Sequence, residues 1–219
     1  MKTLSKAIAI ASLVSASALT AQVANAEVSF NAAVVSDYVF RGVSYSDNGL
    51  ALQGGADYSH ESGTYAGAWL STSDDGTDTD IEYDVYAGYA MEVGELEIDL
   101  GYVTYNYLDV WSDFGTAEVY ANVTKGAFTA SIYKDIDLYK TTYLSGAYSM
   151  ELPQELALDL TIGYTLPDDS SDDEILDLSA TVSKSLEMVD VAFTVTNIDA
   201  DAAGAEDDTL FFLSVSKEF

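Results

Sequence analysis

From Val28 to Phe219, apolar and polar residues alternate with a period of two, and turn residues interrupt the alternation at regular intervals. This is the pattern of strands with one apolar and one polar face. It predicts strands over 28–40, 49–60, 64–73, 81–92, 96–107, 117–125, 127–138, 142–152, 156–166, 175–185, 188–198 and 209–219. The alternation also assigns faces. Ile81, Tyr83, Val85, Ala87, Tyr89 and Met91 fall on one side of their strand, with Glu82, Asp84, Tyr86 and Gly88 on the other. Leu96, Ile98, Leu100 and Tyr102 likewise oppose Glu97 and Asp99, and Val189, Val191, Phe193 and Val195 oppose Asp190, Thr194 and Thr196. The strand over 142–152 is ambiguous, because both faces carry Tyr and small residues.

The connections alternate in kind. Glu61-Ser62-Gly63, Val93-Gly94-Glu95, Lys125-Gly126, Pro153-Gln154-Glu155 and Leu186-Glu187 read as tight turns, and the segments 41–48, 74–80, 108–116, 167–174 and 199–208 as longer polar loops; only 139–141 breaks the rule by being short. Short turns on one rim and long loops on the other, with an even strand count, predict an all-β fold: an up-and-down antiparallel transmembrane β-barrel of about 12 strands, of the outer-membrane type. Both termini then lie at the periplasmic rim. The last stretch, Thr209 to Phe219, reads as the closing strand, antiparallel to Val28–Phe40, with Phe211, Leu213, Val215 and Phe219 on the lipid face. Lys217 shares that face and is tolerable there only because it is near enough to the end to snorkel. A terminal Phe219 is the kind of signal that outer-membrane assembly machinery reads.

The N-terminus departs from this pattern. Lys2 and Lys6, the apolar run Ala7–Leu19 and the small-residue site Ala24-Asn25-Ala26 have the anatomy of a cleaved signal peptide over 1–26, leaving a single barrel domain over 27–219. Cleavage there removes two bases and no acid, moving the formal charge from −29 to −31. That balance argues against a nucleic-acid partner. With no Cys, neither disulfides nor thiolate metal sites are available.

Ser36-Asp37-Tyr38-Val39-Phe40-Arg41-Gly42-Val43-Ser44, together with Gln53-Gly54-Gly55-Ala56-Asp57-Tyr58 and Gly67-Ala68-Trp69, resembles the TorF-type porins of proteobacteria over about the first third of the mature chain. The resemblance implies an outer-membrane barrel and a solute pore, and carries over no catalytic or ligand residue.

Candidate chemistry therefore rests on charge. Asp57, Glu82, Asp84, Glu97, Asp99, Glu118, Asp159, Asp177 and Asp190 all map to lumen faces, while the bases map to rims and loops apart from Lys134. Carboxylates so numerous and so poorly matched are costly to bury dry. They predict a lumen holding water or cations and preferring cations; a plugged interior that the acids merely solvate is the alternative. Arg41, the one arginine, reads as a rim cation, or alternatively as a constriction residue if its loop folds inward onto the lumen acids. Asp74, Asp78 and Asp80 resemble part of a calcium loop, as does the run 168–174, but neither has the full spacing, and both read first as solvated loops. His60 stands at a periplasmic turn, away from any nucleophile at the outer rim, and no acid pair stands out, so the chain is read as a non-enzyme without cofactors. Most of the sixteen tyrosines read as interfacial girdles, with Trp111 and Phe114 as loop residues able to touch a ligand. The expectation is a monomeric channel for passive diffusion of small solutes or cations, embedded among outer-membrane lipid and lipopolysaccharide. The alternatives are a non-conducting barrel acting as a structural or receptor protein through its acidic loops, and a soluble periplasmic β-sandwich.

Overall fold

A computed structural model describes residues 26–74, 76–108, 115–169, 174–200 and 208–219. The strands are β1 (Glu27–Val35), β2 (Val39–Phe40), β3 (Val43–Ser44), β4 (Ala51–Ser59), β5 (Thr64–Asp74), β6 (Thr79–Val93), β7 (Leu96–Tyr107), β8 (Thr116–Lys125), β9 (Phe128–Asp135), β10 (Thr141–Leu152), β11 (Leu156–Pro167), β12 (Ile175–Ser185), β13 (Asp190–Ala200) and β14 (Asp208–Glu218). All but β2 and β3 form one closed antiparallel barrel of twelve strands, each next to its neighbour in sequence and β14 returning to β1. Closure leaves no unpaired edge, which is what a sheet needs in hydrocarbon. The fold is therefore the transmembrane barrel expected from the alternation, and its architecture is that of an outer-membrane protein.

Face assignments follow the alternation. Ile81, Val85 and Tyr89 of β6, Leu100 and Tyr102 of β7, and Phe211, Leu213 and Val215 of β14 are exposed on the outside, where lipid would meet them, while Glu82, Asp84, Asp99 and Ser214 are buried inside. Phe30, Tyr58, Tyr89, Phe128 and Phe219 are exposed towards the rim of short turns and form a girdle there. Tight turns are built as the sequence indicates. Gly94 (φ 68) and Gly126 (φ 61) take the left-handed conformation directly after Val93 and Lys125, whose partners across two-residue loops are Leu96 and Phe128.

The seam between β1 and β14 carries only five register pairs, Asn31↔Glu218 to Val35↔Ser214. Two further hydrogen bonds extend it, from Phe219 N to Phe30 O at 2.8 Å and from Phe30 N to Phe219 O at 3.2 Å. Lys217 lies with its ammonium 5.1 Å from the Phe219 ring, a cation–π contact at the rim.

Two strand ends differ from expectation by more than two residues. The first strand stops at Val35 rather than at residue 40, because the Asp37 carboxylate collects the hydroxyls of Ser44 (2.6 Å) and Ser46 (3.0 Å) into a local loop that competes with the ladder. The ninth stops at Asp135, whose side chain accepts the amides of Asp137 (2.9 Å) and Lys140 (3.2 Å). That leaves residues 136–140 as a loop and removes the one exception to the short-turn, long-loop rule.

The largest departure is inside. The connection between β1 and β4 folds into the barrel as the small hairpin β2–β3. It builds a core within the lumen at the long-loop end: Val35, Tyr38 and Ala51 pack with Phe40, Tyr45 and Trp69, Val39 packs with Leu210 and Phe212, and Phe40 also meets a cluster of Val103, Tyr105, Tyr120, Tyr133 and Tyr143.

Candidate functional site

The tip of the inserted hairpin is Arg41-Gly42, both at positive φ (50° and 84°). A Cβ on Gly42 would lie 3.2 Å from the Asp177 Cβ and 3.3 Å from the Ile198 Cβ, so the tip reaches β12 and β13 after leaving the barrel at β1. Arg41 spans further. Its guanidinium donates two hydrogen bonds to Glu118 on β8, each 2.8 Å, in the bidentate geometry that makes such pairs strong. It also lies over the rings of Tyr143 (4.1 Å), Phe40 (4.6 Å) and Tyr133 (5.2 Å). In barrel order β8 is next to β9, the strand directly opposite β1, so the hairpin crosses the lumen from wall to wall. The rim position expected for Arg41 is thus corrected: the loop's aromatics bury themselves inside and carry the cation with them.

On the near wall, the Tyr38 hydroxyl donates to Glu82 at 3.1 Å, and the Tyr38 ring packs on Trp69 and Tyr45 at 5.5 Å each. The loop's exit is tied to β5, where the Asp74 amide donates to the Tyr45 carbonyl at 2.9 Å.

Towards the short-turn end the wall is lined by tyrosines laid flat on glycines. Tyr65 lies opposite Gly88, Tyr86 opposite Gly67 and Tyr120 opposite Gly101. A Cβ on any of these glycines would fall within 2.4 Å of the facing ring. Absence of those three side chains lets each phenol lie along the wall, where Tyr65 and Tyr86 reach an acid on another strand and Tyr120 reaches the Tyr65 hydroxyl. Tyr65 donates to Asp99 at 2.5 Å and shares a 2.6 Å hydrogen bond with Tyr120. Asn122 donates to the other Asp99 oxygen at 3.1 Å, Tyr86 donates to Asp57, and Tyr105 donates to Glu118 at 2.9 Å.

The acids expected in the lumen are therefore not alike. Glu82, Asp84, Asp99, Glu118 and Asp177 are buried, the last accepting from Tyr143 at 3.2 Å. Asp57, Asp159 and Asp190 are half-buried, and Glu97 is exposed near the short-turn end beside Glu92. Asp159 accepts from Ser149 at 2.5 Å. The expectation that these carboxylates lack partners is corrected for most of them: the partners are phenols, hydroxyls, side-chain amides and one guanidinium rather than lysines. Correspondingly, Tyr38, Tyr65, Tyr86, Tyr105, Tyr120, Tyr133 and Tyr143 belong to the lumen and not to a girdle. The signal was present in their parity, since Tyr86 falls on the face of Glu82 and Asp84, and Tyr105 on the face of Asp99.

Asp74, Asp78 and Asp80 do not converge. Asp74 accepts from the Gly76 amide and the Thr79 hydroxyl, both at 2.8 Å, and so closes its own turn, while Asp78 is exposed and Asp80 is buried in β6. Among the described residues no group of three acids or histidines is placed to hold a metal. His60 bonds only within its turn among the contacts seen, to Ser62 Oγ at 2.8 Å and from the Ser62 amide at 3.1 Å. Trp111, Phe114 and most of the acidic run 168–174 lie outside the described residues.

Comparison with known proteins places this geometry. The KdgM porin superposes with a TM-score of 0.64 at 10% identity, over 87% of this chain and 99% of that one. The same porin in complex with disordered oligogalacturonate gives 0.60 at 9% identity, over 88% and 98%. Pseudomonas aeruginosa OccK1 (OpdK) gives 0.46 at 12% identity, over 80% and 57%. Identities this low report the fold alone. No curated protein matches the sequence. A family profile matches residues 20–213, nearly the whole chain, and the protein thus belongs to the Gcw_chp family of bacterial proteins of unknown function.

Proposed function

We propose that the protein is a narrow outer-membrane channel for passive diffusion of small solutes, that it prefers cations, and that the β2–β3 hairpin is its constriction. The observation that carries this reading is the charge of the interior. Carboxylates face the lumen from β4, β6, β7, β8, β11, β12 and β13, and the cation placed among them, Arg41, is already held by Glu118. A low-dielectric channel with such walls concentrates cations and repels anions. The porin fold and the resemblance of the segment around Tyr38–Arg41 to TorF-type porins support a diffusion role over catalysis. We further infer that residues 1–26 are removed as a signal peptide, since β1 begins at Glu27; intact-mass spectrometry of the membrane-extracted protein tests that.

One observation favours a second reading. The hairpin touches both walls and fills the long-loop half of the lumen with aromatic side chains, as expected of a plug in a barrel that is closed at rest and acts through its loops. Planar-bilayer recordings separate the two. A conducting wild-type barrel supports the channel, whereas a silent wild type that conducts once residues 38–46 are replaced by a short Gly/Ser linker supports the plug. Silence of both forms refutes the channel.

A further inference from the structure

Asp80, Glu82 and Asp84 follow one another on the lumen face of β6, and they are 3%, 2% and 0% exposed. Successive members are two residues apart, about 7 Å along a strand. Asp80 turns its carboxylate onto the Ile81 amide at 2.6 Å. The other two are differently placed: both oxygens of Asp84 and Oε2 of Glu82 are buried and accept no hydrogen bond of good geometry, the Tyr107 hydroxyl beside Glu82 and the Asn106 amide beside Asp84 being the donors at hand. Register puts Ser73 opposite Asp80, Ser71 opposite Glu82 and Trp69 opposite Asp84, with Tyr107 and Tyr105 flanking Glu82 and Asp84 from β7. Tyr38 of the inserted loop closes the group from above through its bond to Glu82.

No cationic side chain of the described barrel serves this pair. Arg41 holds Glu118, Lys125 pairs with Glu95 and Lys134 with Asp168. Lys140 and Lys184 donate to the carbonyls of Ile136 and Gln154, and Lys217 lies over Phe219. Two adjacent buried carboxylates left without a counter-charge are strongly unfavourable.

We propose that Glu82 and Asp84 form a binding site for one hard divalent cation of the Ca²⁺ type. Two carboxylates match a doubly charged ion. Both donors are carboxylates, which selects hard cations over soft metals, and an irregular carboxylate set suits the tolerant coordination of Ca²⁺ better than the strict octahedron of Mg²⁺. Because Glu82 also receives Tyr38, an ion there fastens the hairpin to the near wall, as Arg41 fastens it to the far one. The site rests on the reading of the lumen as cation-accepting, but it does not require that the barrel conduct.

Trp69 opposite Asp84 supplies the assay, since an indole that close to a bound lanthanide sensitises its emission. The folded barrel in detergent is titrated with Tb³⁺ under indole excitation, then with excess Ca²⁺. Saturable emission that Ca²⁺ displaces is expected. Loss of at least tenfold is expected in Glu82→Gln/Asp84→Asn, and retention in Asp74→Asn/Asp78→Asn. If the double variant does not assemble, Trp69→Phe and Trp111→Phe carry the test, with emission lost in the first and kept in the second. Emission insensitive to Ca²⁺, unchanged in the lumen variant, or lost only with Trp111→Phe overturns the site. Bilayer current plays no part in this titration, so a silent barrel with the expected emission refutes the channel and leaves the site standing.

Discussion

Replacing Arg41 by Ala should release the hairpin from the far wall without opening the barrel. The substitution removes two 2.8 Å charge-assisted hydrogen bonds and the stacking of the guanidinium on three rings. It also strands Glu118, whose side chain is 4% exposed, with the Tyr105 hydroxyl as its remaining described donor. Breaking a buried pair from one side costs about 3–5 kcal/mol. The Arg41 side chain is 15% exposed and the lumen can admit water once the hairpin moves, so the lower end, about 3 kcal/mol, is the fitting figure. That shifts the ratio of docked to undocked hairpin by about two orders of magnitude. The barrel ladder does not involve Arg41, so its unfolding should change far less. Trp69 reports the outcome because its ring packs on Tyr38. In a Trp111→Phe background, acrylamide should quench Trp69 more strongly in Arg41→Ala than in the parent, and single-channel conductance should rise. Adding Glu118→Ala should recover part of the lost docking, since it removes the stranded charge. Unchanged Trp69 quenching together with unchanged conductance in Arg41→Ala would refute the latch.

Other consequences are as direct. Gly42→Val places a branched side chain at φ 84° and within about 3.3 Å of β12 and β13, a conformation costing about 1–2 kcal/mol before any clash; it should mimic Arg41→Ala in Trp69 quenching. Gly101→Val puts its Cβ 2.2 Å from the Tyr120 ring, and overpacking of that kind costs about 1–3 kcal/mol; urea unfolding in lipid should show the loss, with recovery when Tyr120→Ala is combined with it. Deleting Phe219 removes both backbone bonds to Phe30 at a seam of five register pairs and should lower the folded fraction, read as heat-modifiable mobility on a gel, with little effect on the conductance of barrels that do assemble. Normal insertion of that truncation would contradict the role given to the closing strand.

The fold was legible because a barrel writes its two faces into every strand. Parity alone places Ile81, Val85 and Tyr89 outside and Glu82 and Asp84 inside, and the spacing of turns sets the strand count. The interior loop was not legible by the same means. Whether Arg41 stays at the rim depends on Glu118, a partner 77 residues away, and no local periodicity encodes that pairing. The loop also ends its strand early through Asp37, Ser44 and Ser46, short polar side chains that look at home in a strand end until their hydrogen bonds are seen. The division of the tyrosines between girdle and lumen is only partly legible for a related reason. An aromatic ring suits both a lipid interface and a polar lumen; parity already sets Tyr86 on the face of Glu82 and Asp84, while the glycine across the strand pair that lets Tyr65, Tyr86 and Tyr120 lie flat is revealed only by register.

The central claim is that the lumen is a cation-preferring path narrowed by the β2–β3 hairpin. Its most direct test is the reversal potential of single barrels in a planar bilayer under a KCl gradient, for the wild type and for the form lacking residues 38–46. A potential of the sign set by K⁺, reduced when Glu82, Asp84, Glu97 and Asp99 are neutralised together, is the predicted result. A potential of the sign set by Cl⁻, or no current from either form, would contradict it.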